Sequence, residues 1–422
     1  MLNACPVRWI TGSRLVILHI LQQFPASGNT RAPSPVFPPI VGDPLILFAA
    51  FRRILSAAAL ALAVLPLSGC RDRPLPDAPI PLPVESDSLP DEERLRQMID
   101  DVLHHTYTQR HLDVHRHGAW QILHGALPFG MRFKVYDGDR RVGAMQWVLD
   151  GNPMGGWLLE HGTENLQGGR RGLIIVMDPG TKRGQGHDDQ WLAVMAQCGL
   201  AIEQPIKFQG RTYQLLDVVQ QVMWDVYEGQ ECSWTLIALS RYLADINAPW
   251  DAADGQVWTV EKIMQMEADQ ELNASACGGT HRLIGMTMAL QEYRKQHDQL
   301  TGGWLAAESK IRTAIRSARA FQQSDGTFST DYFAGARTVP GVALRLDTTG
   351  HTLEFLALAL DDDQLSEPWV VRAVVALCKL FDRARQVDLD CGPLYHATHA
   401  LMEYRERRFG PWPYPDESES GL

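Results

Sequence analysis

Positive charge is scarce in this chain: 39 Lys and Arg face 50 Asp and Glu, for a formal net charge of −11. The deficit lies entirely past residue 69. Residues 1–69 hold five Arg against Asp43 alone, which leaves 34 basic and 49 acidic residues, a net of −15, for residues 70–422. Phosphate neutralisation needs clustered Lys and Arg, so a body this acidic is excluded as a general nucleic-acid binder. Cysteine is also sparse, seven among 422 residues, which excludes a disulfide-built scaffold. No run after Cys70 reaches eighteen apolar residues, so no further membrane-spanning helix is expected. The Gly-rich stretches 151–156 and 168–172 lack the terminal Lys-Ser/Thr of a phosphate loop, and no Gly-x-Ser-x-Gly elbow occurs. What is present is a hydrophobic fraction of 45%, enough for a sizeable globular core.

The amino terminus reads as targeting. Arg52-Arg53 precedes a short apolar run, residues 54–67, and then Leu67-Ser68-Gly69-Cys70. That tetrad resembles the bacterial lipobox, which implies acylation of Cys70 and a lipid-anchored location in the cell envelope, on the periplasmic side of a bacterial membrane. Residues 71–90 carry Pro at 74, 76, 79, 81, 83 and 90, the composition of an extended tether. Residues 1–45 lie further upstream than a signal peptide requires; either they form a long leader or translation begins near Val41 or Leu47. Past Cys70 remain Cys198, Cys232, Cys277, Cys378 and Cys391, an odd number that rules out complete pairing.

Helical segments recur along the body, at residues 117–127, 187–196, 233–239, 281–290, 351–360 and 396–404, each opening with His or Ser and rich in Ala and Leu. Their first residues are offset by 70, 46, 48, 70 and 45, and apolar residues run almost all round them, as in helices packed on every side. Longer amphipathic segments lie between them, at 91–106, 212–227, 260–272, 305–322 and 368–385. Six buried inner helices alternating with five or six outer ones predict an all-α fold, an α/α toroid over residues 91–410 with a tail at 411–422. The sixth outer helix is not evident. Residues 128–186 read instead as an irregular or β insertion, with strands expected at 132–136, 142–149 and 173–177.

The run Ala314 to Phe328, containing Gln322-Gln323-Ser324-Asp325-Gly326-Thr327-Phe328, followed by Gly350-His351-Thr352, resembles one repeat of the terpenoid cyclase and protein prenyltransferase toroid superfamily. Residues 180–410 as a whole are similar to planctomycetal envelope proteins, a likeness that implies no activity. The superfamily resemblance implies inner-helix starts gathered at one mouth. Cyclisation is not expected, because Gly186-His187-Asp188-Asp189 lacks the first Asp of the cyclase motif and Asp361-Asp362-Asp363 follows an inner helix instead.

Helix starts carry unpaired N–H groups and partial positive charge, so His187, Asp188, Asp189, His281, His351, His396 and His399 are expected to converge on the axis. Glu354 stands at i, i+3 from His351, and Tyr395 precedes His396. This set suits general acid-base catalysis by His, carboxylate and Tyr, and resembles the toroid polysaccharide lyases, with Arg282 or Arg345 as the cation that neutralises a substrate carboxylate. A glycan-like ligand handled by a lyase or hydrolase is one expectation; a non-catalytic scaffold for a ligand or protein is another, with Trp120, Trp147, Trp157, Trp191, Trp234 and Trp304 as stacking surfaces. A third is zinc: Cys277-Gly-Gly-Thr-His281 and Cys391-Gly-Pro-Leu-Tyr-His396 are near copies, and thiolate with imidazole suits tetrahedral Zn²⁺. No other cofactor is indicated.

Overall fold

The computed structural model describes residues 88–415; Cys70, the lipobox and most of the tether lie outside them. The described part is mainly helical. Helix α1 (Glu92–Gln109) shows why: the Asp91 side chain caps it by accepting from the Arg94 N–H at 2.8 Å, Glu92 and Glu93 complement the dipole, and Leu95, Ile99, Val102, Leu103 and Thr106 form one buried stripe.

The six recurrent segments are helices: α2 (Ala119–His124) with α3 (Ala126–Phe129), α5 (Gln190–Gln197), α7 (Ser233–Tyr242), α9 (Thr280–Arg294), α11 (Val342–Ala359) and α14 (Cys391–Phe409). Helix α5 packs on α7, α7 on α9, α9 on α11 and α11 on α14; α14 returns to α2 and α3, which touch α5, so the order of neighbours closes on itself. Small residues permit these approaches. A Cβ on Gly350 would lie 2.5 Å from the Ala397 Cβ where α11 crosses α14, and one on Gly285 would lie 2.2 Å from the Ser233 carbonyl oxygen where α9 crosses α7.

The amphipathic segments are helices α1, α6 (Leu215–Asp225), α8 (Val260–Asp269), α10 (Gly302–Ala320) and α13 (Pro368–Arg383), with a short α12 (Asp362–Leu365) before the last. Helix α6 touches α5 and α7, α8 touches α7 and α9, α10 touches α9 and α11, and α13 touches α11 and α1. The helix missing from the sequence reading is α4 (Ala144–Leu149), packed on α2. The strand expected at 142–149 is therefore corrected: it ends at Gly143, and Ala144, Met145, Val148 and Leu149 bury a helical stripe that a short apolar run conceals.

Four antiparallel hairpins are described: β1 (Lys134–Asp137) with β2 (Arg140–Gly143), β3 (Leu159–His161) with β4 (Leu173–Ile175), β5 (Pro205–Phe208) with β6 (Arg211–Gln214), and β7 (Trp250–Asp251) with β8 (Val257–Trp258). Only the first two fall in the expected insertion. The first, third and fourth each run directly into an outer helix, α4, α6 and α8. Their turn glycines, Gly138, Gly210 and Gly255, all have positive φ, and Gln209-Gly210 at 47° and 75° has the sign pattern of a type I′ hairpin turn. Those glycines are spaced 72 and 45 residues apart, close to the helix offsets, so the repeating unit includes a hairpin.

Two inner helices start earlier than expected. Helix α11 begins at Val342, nine residues before His351, because Thr348, Thr349 and Gly350 are poor helix formers that hide its first turns. Helix α14 begins at Cys391 and carries Pro393 within its first turn, where a missing N–H costs nothing. His351, His396 and His399 are therefore interior to their helices. Among the described residues no helix is long and apolar enough to cross a membrane.

Candidate metal centre

The six inner elements converge on a cluster of aromatic rings. Helix α2 ends in His124, the segment before α5 holds His187, and α7 brings Trp234; α9 adds His281, α11 adds His351 and α14 adds His396. Ring centroids lie 4.3 Å apart for His351 and His396, 5.0 Å for His281 and His396, 5.5 Å for His281 and His351, 5.3 Å for His187 and His281, and 5.4 Å for His124 and His396. Trp234 lies 4.8 Å from His281. The cluster is interior rather than at an open mouth: His124, His281, His351, His396 and Trp234 are all buried. Burial, joined by the neighbouring imidazoles, lowers His281 well below the ordinary range and His124 to about 3.

Cys277 joins this cluster from one side. One ligand atom each from Cys277, His281 and His351 lies within 4.8 Å of the others. The thiol is delivered by three successive left-handed residues, Cys277 (φ 49°), Gly278 (63°) and Gly279 (79°), immediately before α9. For a non-glycine residue such as Cys277 that conformation is held at a cost. Gly278 is required for a second reason, since a Cβ there would lie 2.2 Å from the Tyr332 ring, and Tyr332 is itself left-handed at φ 51°. Cys277 is only half-buried, so it is the accessible side of the group.

The buried polar atoms here are unevenly satisfied. His351 Nδ1 lies 3.0 Å from the Asp347 carbonyl and 2.9 Å from its carboxylate, while His351 Nε2 has no partner; both ring nitrogens of His281 are also without one. An unmade bond on a buried polar atom costs about 1–3 kcal/mol. An imidazole with one nitrogen bonded to a backbone carbonyl and the other left free is an arrangement that orients a metal-binding histidine. Burial works against the charged form of His351, yet Cys277 and Asp347 hold its pKa well above the usual range. A thiolate and two imidazoles form a borderline-soft donor set that suits Zn²⁺ and related ions, and three protein ligands leave a fourth position open.

Behind this triad Glu354 bridges two further histidines, accepting from His396 Nδ1 at 2.8 Å and His399 Nδ1 at 2.7 Å; His399 Nε2 lies 3.3 Å from Glu403. Burial alone would raise Glu354, but His396 and His399 hold it well below the ordinary carboxylate range. Burial likewise opposes the charge on His399, and the Glu354 and Glu403 bonds override it, raising its pKa to about 10. Burial outweighs Glu354 at His396, which is lowered. Glu354 thus holds both histidines, and of the two it is His399 whose charged form the surroundings favour.

Other candidates lie elsewhere. Tyr395 is fully buried against the Phe133 ring at 5.6 Å, and Cys391 lines a separate cavity of about 340 Å³ with Arg110 and Asp390, so neither joins the triad. Arg282 is held by Glu267 at 2.6 Å and by Ser275 at 3.2 Å, and Arg345 is paired with Asp325. Asp188 and Asp189 line a third cavity of about 230 Å³, where Asp189 accepts from Thr235 and burial lifts its pKa to about 7; His187 bonds Glu231 at 3.1 Å. Trp157, Trp191, Trp234 and Trp304 are buried, which leaves Trp120 and Trp147 partly exposed. The sequence reading missed Asp347, Tyr332 and His124. Asp347 was findable, because it stands four residues before His351 on the same helical face. Comparison with known protein families, with curated proteins and with solved structures brings no match for this chain.

Proposed function

We propose that this chain is an α/α toroid carrying one zinc-type metal ion on Cys277, His281 and His351, and that it is a metal-dependent enzyme acting on a ligand that approaches from the Cys277 side. The observation that carries this reading is the triad itself: a half-buried thiol and two buried imidazoles converge from two inner helices, with three ring nitrogens left without partners. A bound divalent ion there supplies Lewis acidity. The chain does the rest. Asp347 orients His351, the left-handed Cys277-Gly278-Gly279 turn aims the thiol, and the buried rings of Trp234 and His396 exclude water from the far side. The closed order of inner-helix contacts supports the toroid.

Acid-base chemistry on a glycan-like ligand keeps one supporting observation, the Glu354 bridge between His396 and His399, but Arg282 and Arg345 are paired with other carboxylates and the Tyr395 ring packs on Phe133. We also propose attachment to the envelope through Cys70, which rests on the lipobox resemblance; Cys70→Ala is expected to move the protein from the membrane to the soluble fraction. The test of the metal reading is elemental analysis of the purified full chain. About one zinc per chain is expected, and after exchange with Co²⁺ a thiolate-to-cobalt absorption in the near ultraviolet that disappears in Cys277→Ser. A chain that takes up neither ion with its fold intact would refute it.

A further inference from the structure

A cavity of about 550 Å³ lies away from the metal triad, between outer helices α1 and α13. Its wall holds five cations, Arg94, Arg345, Arg372, Lys379 and Arg383, and a single carboxylate, Asp325. Arg345 is paired with that carboxylate. Arg94, Arg372, Lys379 and Arg383 pair with no carboxylate among the described residues, although this body carries 49 acidic residues against 34 basic ones. Arg94 stands on α1, and helix α13 presents the other three from one face, with Arg372, Val375, Ala376, Lys379, Leu380 and Arg383 at i, i+3, i+4, i+7, i+8 and i+11. Like charges four residues apart weaken a helix, so Lys379 and Arg383 stand together at a cost that a bound anion relieves.

The rest of the wall mixes apolar side chains, among them Leu89, Met98, Val375 and Leu380, with the hydroxyls of Ser88, Ser324 and Thr327. Cations beside hydrocarbon on one wall fit neither an inorganic ion nor a purely apolar guest. Four free cations exceed the single charge of a carboxylate, and arginine forks match the oxygens of phosphate. Ser88, Leu89 and Pro90 lie on the same wall.

We infer that the cavity between α1 and α13 binds a phosphorylated amphiphile, a phosphate mono- or diester headgroup bearing a hydrocarbon chain. Such a group is supplied by a bilayer phospholipid or by a soluble phosphoester, and the site chemistry is the same for both. The proposal does not depend on the metal reading.

The test uses the full chain with Cys70→Ala, so that no acyl anchor masks binding, and titrates it with hexyl phosphate, inorganic phosphate and hexyltrimethylammonium. Hexyl phosphate is expected to bind one per chain, at least tenfold tighter than inorganic phosphate, and to weaken as salt rises. Hexyltrimethylammonium is expected not to bind. Arg94→Gln with Lys379→Gln and Arg383→Gln, all at exposed positions, is expected to fold normally by circular dichroism and to lose at least tenfold in affinity. Flotation with phosphatidylglycerol and phosphatidylcholine vesicles separates the sources. Retention on the anionic vesicles alone, lost in the triple variant, supports the site with a bilayer headgroup in it; hexyl phosphate binding without retention supports it with a soluble phosphoester. Absence of saturable hexyl phosphate binding, or equal binding by the triple variant, overturns the proposal.

Discussion

Cys277-Gly-Gly-Thr-His281 and Cys391-Gly-Pro-Leu-Tyr-His396 look like two copies of one motif, yet they do different things in the fold. In the first, Cys277 precedes α9 in a left-handed turn, and its sulfur meets His281 and His351. In the second, Cys391 is already the first residue of α14, with His396 five positions on. Five residues at 3.6 per turn place two side chains about 140° apart. Cys391 therefore faces the cavity of Arg110 and Asp390, while His396 turns inward to Glu354. The lesson is that the backbone between the members of a Cys-His pair decides whether the two side chains converge. Two glycines free to adopt positive φ let the first copy fold back, and the Gly-Pro pair of the second is taken up in a regular helix.

Replacing each thiol in turn separates the two copies most strongly. Cys277→Ser is expected to lower bound zinc at least tenfold, read by elemental analysis of full-length protein, whereas Cys391→Ser is expected to leave it unchanged. Equal loss in both variants would mean that the copies are equivalent after all. Next in size is Glu354→Gln, which removes the group that holds the second copy's histidine. Taking one partner from a buried ion pair costs about 3–5 kcal/mol, measurable by urea unfolding. The pH dependence has a definite sign. Glu354 is depressed in the fold, so its contribution is present above its ordinary value of 4.5 and lost as pH falls. His399 is raised from 6.5 to about 10, so its contribution is complete below 6.5 and lost as pH rises towards 10. Wild type is therefore expected to lose stability between pH 6.5 and 10 with a slope that Glu354→Gln flattens.

What was legible in the sequence follows from periodicity. The inner helices announce themselves because Ala, Leu and Gly surround them, and the long outer helices because their polar faces alternate with buried stripes such as Leu95, Ile99, Val102 and Leu103. His281, His351, His396 and Glu354 were legible as a convergent set for the same reason, each lying near one point of the repeat. Less legible was anything decided by a short backbone stretch. The hairpins before α6 and α8 carry Gln209-Gly210 and Asp254-Gly255 turns that signal a hairpin, but their flanking strands are two to four residues long and vanish beside a helical repeat. The partners of Arg282 and Arg345 were invisible, since Glu267 and Asp325 come from other segments. So was the split between the two Cys motifs, because the side chain that packs on Gly278, Tyr332, lies 54 residues further along the sequence.

That last contact gives the finest test of the comparison, through the glycine that follows each cysteine. At Gly278 φ is 63°, and an added Cβ would lie 2.2 Å from the Tyr332 ring, so Gly278→Ala has to bear a left-handed alanine and displace an aromatic side chain. A left-handed non-glycine residue costs about 1–2 kcal/mol before any clash, and the ring must move as well. At Gly392 the backbone is helical, and an added Cβ would lie 2.8 Å from the outer edge of the Trp120 ring, which is half-buried. Alanine there also gains helix propensity of about 1 kcal/mol over glycine, which offsets part of the contact. Gly278→Ala is therefore expected to lower the urea midpoint clearly and to weaken zinc retention against a chelator, because the thiol is aimed by the same turn. Gly392→Ala is expected to shift the midpoint by less than half as much and to leave zinc retention unchanged. Should the two alanines behave alike, the turn at Cys277 would not be what separates one copy of the motif from the other.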